Sequence, residues 1–194
     1  PESTLDAPVA SPADQYINRE LSLIEFNQRV LAQANDSSVP LLERVRFLCI
    51  SCTNLDEFFE VRVAGLKQLL EIGAPTAGPD DTKPQQLLDE IRHRSLMLVR
   101  KQYELLNSVL LPALADEKIH FIERANWTSE QSEWLSDFYK REITPVLTPL
   151  TLDPSRPFPR ILNKSLNFIV RLNGKDAFGR SRHRAVVQAP RSLP

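Results

Sequence analysis

A mainly α protein, with an N-terminal antiparallel three-helix bundle followed by a partial α+β domain, is the fold class this sequence predicts. Three observations carry it. Runs with apolar residues three and four apart fill most of residues 22–111, the spacing of one helical face. Short links join these runs, and short links set neighbouring helices antiparallel. After about Lys118 the long stripes give way to short strand-like segments and a proline-rich loop. The chain then divides into a disordered or extended arm at 1–15, a helical domain at 16–118 and a truncated α+β domain at 119–194.

Residues 1–15 are rich in Pro, Ser, Asp and Ala without periodicity, the composition of an unfolded arm. Ser22 and Glu25 match a capping box. They open a helix to about Asn35 with Leu23, Phe26, Val30 and Ala34 on one face. Pro40 suits the first turn of a second helix, running toward Ile72. One stripe of that helix is Leu41, Val45, Leu48, Cys52, Leu55, Phe59, Val63, Leu66 and Leu70, and another is Phe47, Ile50, Asn54, Phe58 and Val61. A break near Thr53 would make Asn54 and Glu57 a second capping pair. Gly73 to Pro84 holds three prolines and two glycines and reads as a flexible connection. The third helix, about Pro84 to Leu111, buries Leu87, Leu88, Ile91, Leu98, Val99, Leu105, Leu106 and Val109.

Beyond it, His120 to Glu123 reads as a short strand. Thr128 and Gln131 start a helix to about Ile143. Five prolines between Pro145 and Pro159 enforce an irregular loop. Leu166–Leu172 and His183–Ala189 read as strands, too few to close a stable sheet, so the chain looks cut off inside a domain.

The formal net charge of −1 hides an asymmetry: residues 1–119 sum to −6 and residues 120–194 to +5. A basic C-terminal part suits a phosphate-rich ligand, or simply attracts the acidic part. No run approaches the ~18 apolar residues of a membrane span. No basic region followed by an apolar run opens the chain, so no secretory signal is read, although a start at Pro1 leaves a removed signal open. Two cysteines fit a reducing cytoplasm.

Several constellations have a structural reading beside the chemical one. Cys49 and Cys52 form a Cys-x-x-Cys pair, but no further Cys or His stands at ligand spacing; small buried hydrophobes are expected. His93, His120 and His183 are scattered, and His93 is expected at the surface. No Gly-rich phosphate loop is present among 5 glycines. Asp56, Glu57 and Glu60, with Arg62, have the chemistry to hold Mg²⁺ but read better as charge at a helix N-terminus and local ion pairs. Arg156, Arg160, Lys164, Arg171, Lys175, Arg180, Arg182, Arg184 and Arg191 read as an anion-steering patch or as solvated charges that protect strand edges. Too few aromatics interleave them to argue for nucleic acid.

Asn54 stands on a stripe whose other members are apolar. A buried amide without partners costs roughly 1–3 kcal/mol, so either the protein or a ligand must satisfy it. The residues around it carry a resemblance. Tyr16-Ile-Asn-Arg-Glu-Leu-Ser22, Glu25-Phe-Asn-Gln-Arg-Val-Leu31, Pro40-Leu-Leu-Glu-Arg44, Arg46-Phe-Leu48 and Asn54-Leu-Asp-Glu-Phe-Phe-Glu-Val-Arg62 resemble the N-terminal domain of bacterial polyphosphate kinases. Pro145-Val-Leu-Thr-Pro-Leu150, Asp153-Pro154 and Pro157-Phe-Pro159 resemble the start of that family's head domain. One departure is Leu23, where the family commonly has tryptophan; both are apolar.

The resemblance implies a parent enzyme that reversibly moves the γ-phosphate of ATP to polyphosphate through a phosphohistidine, with Mg²⁺ bound outside this chain. It implies ATP or ADP contact at Asn54, which occupies the place of the family's base-binding asparagine. An amide suits that task because it both donates and accepts. No catalytic histidine and no metal ligand is carried over, so this chain alone is expected to be inactive. Implied partners are ATP/ADP, polyphosphate, the C-terminal catalytic domains of the same chain and further copies in a homo-oligomer. No nucleic-acid partner and no transmembrane segment are expected, and the location is cytoplasmic, with the periphery of the inner membrane included. The rival reading is a non-catalytic helical module whose apolar groove binds a partner protein. A weaker rival is a nucleic-acid binder using the basic tail, whose signature would be strongly salt-dependent binding.

Overall fold

The computed structural model of the protein describes residues 15–153, 157–174 and 184–190. The arm expected at 1–15 lies, apart from Gln15, outside the described residues, as do His183, Arg156, Lys175, Arg180, Arg182 and Arg191. The architecture is mainly α with a small antiparallel sheet, as the patterning predicts. The chain forms two compact units, divided between Phe121 and Ile122.

The first unit is an up–down–up bundle. Helix α1 spans Arg19–Asn35, α2 Leu41–Glu57, α3 Ala64–Glu71, α4 Pro84–Leu105 and α5 Leu111–Asp116. Arg44 Nε, in the first turn of α2, donates to the Ala34 carbonyl near the end of α1 at 2.9 Å, which fixes these two helices antiparallel. Arg94 ties α4 to α1 by donating to Glu25 at 2.8 Å, and it also meets Glu90 at 2.6 Å. The core is Ile24, Leu31 and Ala34 of α1, Leu48 and Leu55 of α2, and Leu87, Ile91, Leu98 and Leu105 of α4, with Phe58, Val63, Leu66 and Leu110.

Two starting expectations for α1 are corrected. Its N-cap is Asn18, whose side chain accepts from the Leu21 amide at 3.1 Å, so the helix begins three residues before the Ser22 box. The buried face is Ile24, Asn27, Leu31 and Ala34. Leu23 and Phe26 are exposed, Phe26 by 51%. A polar residue in the true stripe made the neighbouring, wholly apolar stripe look better.

The long second and third helices are not interrupted at Thr53 or stopped at Leu111. Instead each contains a π-helical segment, Phe58–Val63 and Leu106–Leu110. The buried positions explain why. They run Leu48, Ser51, Leu55, Phe58 and then skip to Val63 and Leu66. In α4 they run Leu98, Gln102, Leu105 and then skip to Leu110 and Leu114. Five regular α steps would carry a side chain about 140° off the face. The wider π turn, bonded five residues on, absorbs the extra residue and returns the stripe to the core.

The Gly73–Pro84 connection folds on itself rather than running free. Ala77 N–H donates to the Thr82 carbonyl at 2.8 Å. Asp80 accepts from Thr82 Oγ1 and from Asn18 Nδ2, the latter at 2.8 Å. These bonds, Thr82 first, hold the Asp80 carboxyl below its ordinary range. A lowered folded value makes the stabilisation complete at neutral pH and lost as pH falls through that value. Asp80→Ala should therefore cost, after solvent screening at this part-exposed site, roughly 0.5–1 kcal/mol at pH 7, and the melting temperatures of variant and parent should converge in acid. A gap independent of pH would contradict this.

The second unit opens with α6, Ser129–Phe138. Its capping box is complete: Gln131 N–H donates to Thr128 Oγ1 at 3.1 Å, and Thr128 N–H to Gln131 Oε1 at 2.9 Å. A third π segment, Tyr139–Ile143, extends it. Strands β1 Pro149–Thr151, β2 Asn167–Arg171 and β3 Arg184–Gln188 form an antiparallel sheet in the order β1-β3-β2. Ala185 and Val186 of the central strand are buried. His120–Glu123 is not a strand, because no neighbouring strand pairs with it among the described residues. β1 lies inside the expected proline loop; Pro149 is tolerated there as the first residue of an edge strand, paired with Val187.

Candidate functional site

A cleft of about 290 Å³ opens on the helical unit between α1 and the α2–π junction. Leu23, Phe26 and Asn27 come from α1; Asn54, Glu57, Phe58, Val61 and Arg62 come from α2 and its π segment. The size sits at the low end of the roughly 300–1,000 Å³ typical of small-molecule sites. The half-exposed Phe26 and Val61 give it flat apolar surface. Arg62 is its cation and has no ion-pair partner among the described residues.

Asn54 is half-buried in the middle of a continuous helix. It therefore caps nothing, and the Asn54–Glu57 capping pair does not form. Its Nδ2 donates to Asn27 Oδ1 at 3.5 Å, and Asn27 Nδ2 donates to the Ser51 carbonyl at 2.9 Å. Ser51 Oγ accepts from Gln102 Nε2 of α4 at 2.9 Å. Asn27, Ser51 and Gln102 are all buried. A polar layer thus crosses the bundle from α4 to the cleft, with Asn54 at its open end.

The other expectations fare differently. Cys49 and Cys52 are exposed thiols, not buried hydrophobes; the core-facing positions are Leu48, Ser51 and Leu55, and the apolar residues around this helix cover more than one stripe. The Cys52 thiol is pushed up, first by partial burial, then by Cys49 and Asp56, which disfavours the nucleophilic thiolate. Asp56, Glu57 and Glu60 do not complement a helix N-terminus, because none exists there. Among the described residues no group of three or more His, Cys, Asp or Glu is placed to hold a metal ion. His93 and His120 are exposed. Arg171 and Arg184 face each other directly across β2 and β3, an arrangement of like charges that costs stability.

Asn27 and Phe26 were not singled out as site residues from the sequence, and Arg62 only as a companion of the Asp56, Glu57 and Glu60 carboxylates. Asn27 had a signal: it interrupts an otherwise regular apolar spacing at 24, 31 and 34. Arg62 had its charge and its place at the end of the Asn54–Arg62 stretch that carries the resemblance.

A family model described as the polyphosphate kinase N-terminal domain matches residues 16–122, and one described as the polyphosphate kinase middle domain matches residues 130–194. The chain belongs to the polyphosphate kinase family. It is similar to the polyphosphate kinase of Neisseria gonorrhoeae, 57% identical over 182 residues, covering 93% of this chain and 26% of that protein. The polyphosphate kinase of Xylella fastidiosa is 55% identical over 179 residues, covering 92% and 26%. The crystal structure of polyphosphate kinase from Porphyromonas gingivalis is 28% identical with a TM-score of 0.72, covering 94% of this chain and 26% of that one. The chain thus spans about a quarter of the length of the relatives it matches. No helix among the described residues is long and apolar enough to cross a membrane.

Proposed function

We propose that this polyphosphate kinase segment holds the nucleotide base of ATP or ADP in the cleft at Asn54. The parent enzyme would reversibly transfer the γ-phosphate of ATP to polyphosphate through a phosphohistidine. The observation that carries the reading is Asn54 itself. It lines the cleft of about 290 Å³, its Nδ2 is turned to Asn27, and its Oδ1 has no hydrogen-bond partner among the described residues. Apolar surface at Phe26 and Val61 suits the faces of a planar base. Arg62 suits the phosphate side, since guanidinium recognises phosphate well.

In this reading the chain binds and orients; it does not supply the group that accepts phosphate. The Mg²⁺ implied by the family would neutralise phosphate charge when bound. In this proposal it is bound by the rest of the parent enzyme, at a site that Mg²⁺ shares with the substrate phosphates it neutralises. The parent is proposed to work as a cytoplasmic homo-oligomer. Exposed Tyr16, Ile17, Leu42 and Ile72 are apolar surface that a second copy would cover.

Hydrogen–deuterium exchange on the full-length enzyme tests the nucleotide reading. A non-hydrolysable ATP analogue should slow exchange around residues 23–27 and 54–62. Protection confined to the catalytic half would contradict it, and protection by a partner peptide without nucleotide would favour a protein-interaction module. The chain alone, incubated with labelled ATP and Mg²⁺, should form neither phosphoprotein nor polyphosphate. Acid-labile labelling of His93, His120 or His183 would overturn that expectation.

A further inference from the structure

We infer that Asn27 is a positioning residue that locks the Asn54 amide with its oxygen toward the nucleotide, and so selects a purine with an amino group, not an oxo group, at C6. The inference rests on the nucleotide reading of the cleft and goes one residue deeper.

The orientation is forced by chemistry. The Ser51 main-chain carbonyl can only accept, so the Asn27 atom 2.9 Å from it must be Nδ2. Asn27 Oδ1 is then the atom that meets Asn54, and it too can only accept. The Asn54 atom facing it, 3.5 Å away, is therefore Nδ2. Turning Asn27 over would set two acceptors against each other at Ser51. Asn27 is only 4% exposed, so water does not easily repair that clash. Ser51 is fully buried and held from its other side by Gln102. The lock is thus anchored in three helices.

Among the described residues Asn54 Oδ1 has no hydrogen-bond partner, and it is not among the buried, unsatisfied atoms. Asn54 offers a ligand this acceptor and the second N–H of its amide. Adenine presents the matching pair, an amino donor beside a ring-nitrogen acceptor, the pairing by which asparagine reads adenine. A 6-oxo purine puts a carbonyl where the amino group was. To meet it Asn54 must turn over, which sets its own oxygen against Asn27 Oδ1.

The test compares ATP with inosine triphosphate in the full-length enzyme, with melting temperature measured on the same samples. The parent should prefer ATP in kcat/KM by about 10-fold, and a ratio near 1 in the parent overturns the inference without any variant. Asn27→Ala should bring the ratio close to 1, chiefly by raising KM for ATP while kcat holds. Asn27→Ser, still polar but too short to reach Asn54, should do the same if the alanine variant fails to fold. Should Asn27 be merely structural, both variants lower the melting temperature and leave the ratio intact, which overturns the inference. Asn54→Ala separates the two levels. An unchanged ATP KM in that variant sinks the nucleotide reading itself. A raised KM in Asn54→Ala beside an intact ratio in the Asn27 variants sinks only the lock.

Discussion

Deleting Val61 should leave the helical unit folded, whereas deleting Thr53 should cost it about 3 kcal/mol or more. Val61 lies in the π segment and is 60% exposed. Its removal shortens the step from Phe58 to Val63 from five residues to four, a normal α spacing, and both halves of the stripe stay on the core. Thr53 lies in regular α-helix. Its removal rotates one side of the helix by about 100° against the other. If the downstream half shifts and the π turn closes up, Asp56 takes the place of Leu55 and Phe59 that of Phe58. A carboxylate then enters the apolar core, which is strongly unfavourable. If the upstream half shifts instead, Phe47 takes the place of Leu48 and Ile50 that of Ser51, leaving Gln102 Nε2 with no acceptor. Thermal melts followed by helical ellipticity on the two deletions decide the matter. Equal losses, or a larger loss for Val61, would show that the π segment is not an absorbed insertion.

Much of the fold was legible because long stripes leave little freedom. Three helices with apolar residues three and four apart bury them against one another, and the five-residue link from α1 to α2 sets those two antiparallel. The Thr128–Gln131 box and strands β2 and β3 were legible because each carries its own local signal. What escaped is what local pattern cannot encode. The π segments appear in sequence only as a five-residue step, which reads as a slip from one stripe to another. The α1 face was misplaced because Asn27 breaks it. That residue is buried only because the Ser51 carbonyl, on another helix, satisfies its amide. Cys49 and Cys52 were misplaced for the converse reason: apolar residues surround α2 more widely than its buried face. β1 was hidden by prolines that an edge strand accommodates.

At the site, Asn54 was reached through a resemblance and through the oddity of an amide on an apolar stripe. The cleft around it was not legible. It depends on α1 and the π segment meeting, and on Phe26 lying off the buried face rather than on it.

Asn54→Ala in the full-length enzyme is the most direct test of the central claim that this cleft holds the nucleotide base. The substitution removes one or two directional hydrogen bonds, roughly 1–2 kcal/mol or about 5- to 30-fold in kcat/KM. A contact far from the γ-phosphate serves ground state and transition state alike, so the loss should fall on the KM for ATP, with kcat nearly unchanged. Stability should change little, because Asn54 is only half-buried and caps no helix, and Asn27 keeps its bond to the Ser51 carbonyl. Steady-state kinetics and a melting curve on one preparation give both numbers. A raised KM at an unaltered melting temperature is the predicted result; an unaltered KM beside a clear loss of stability would contradict it.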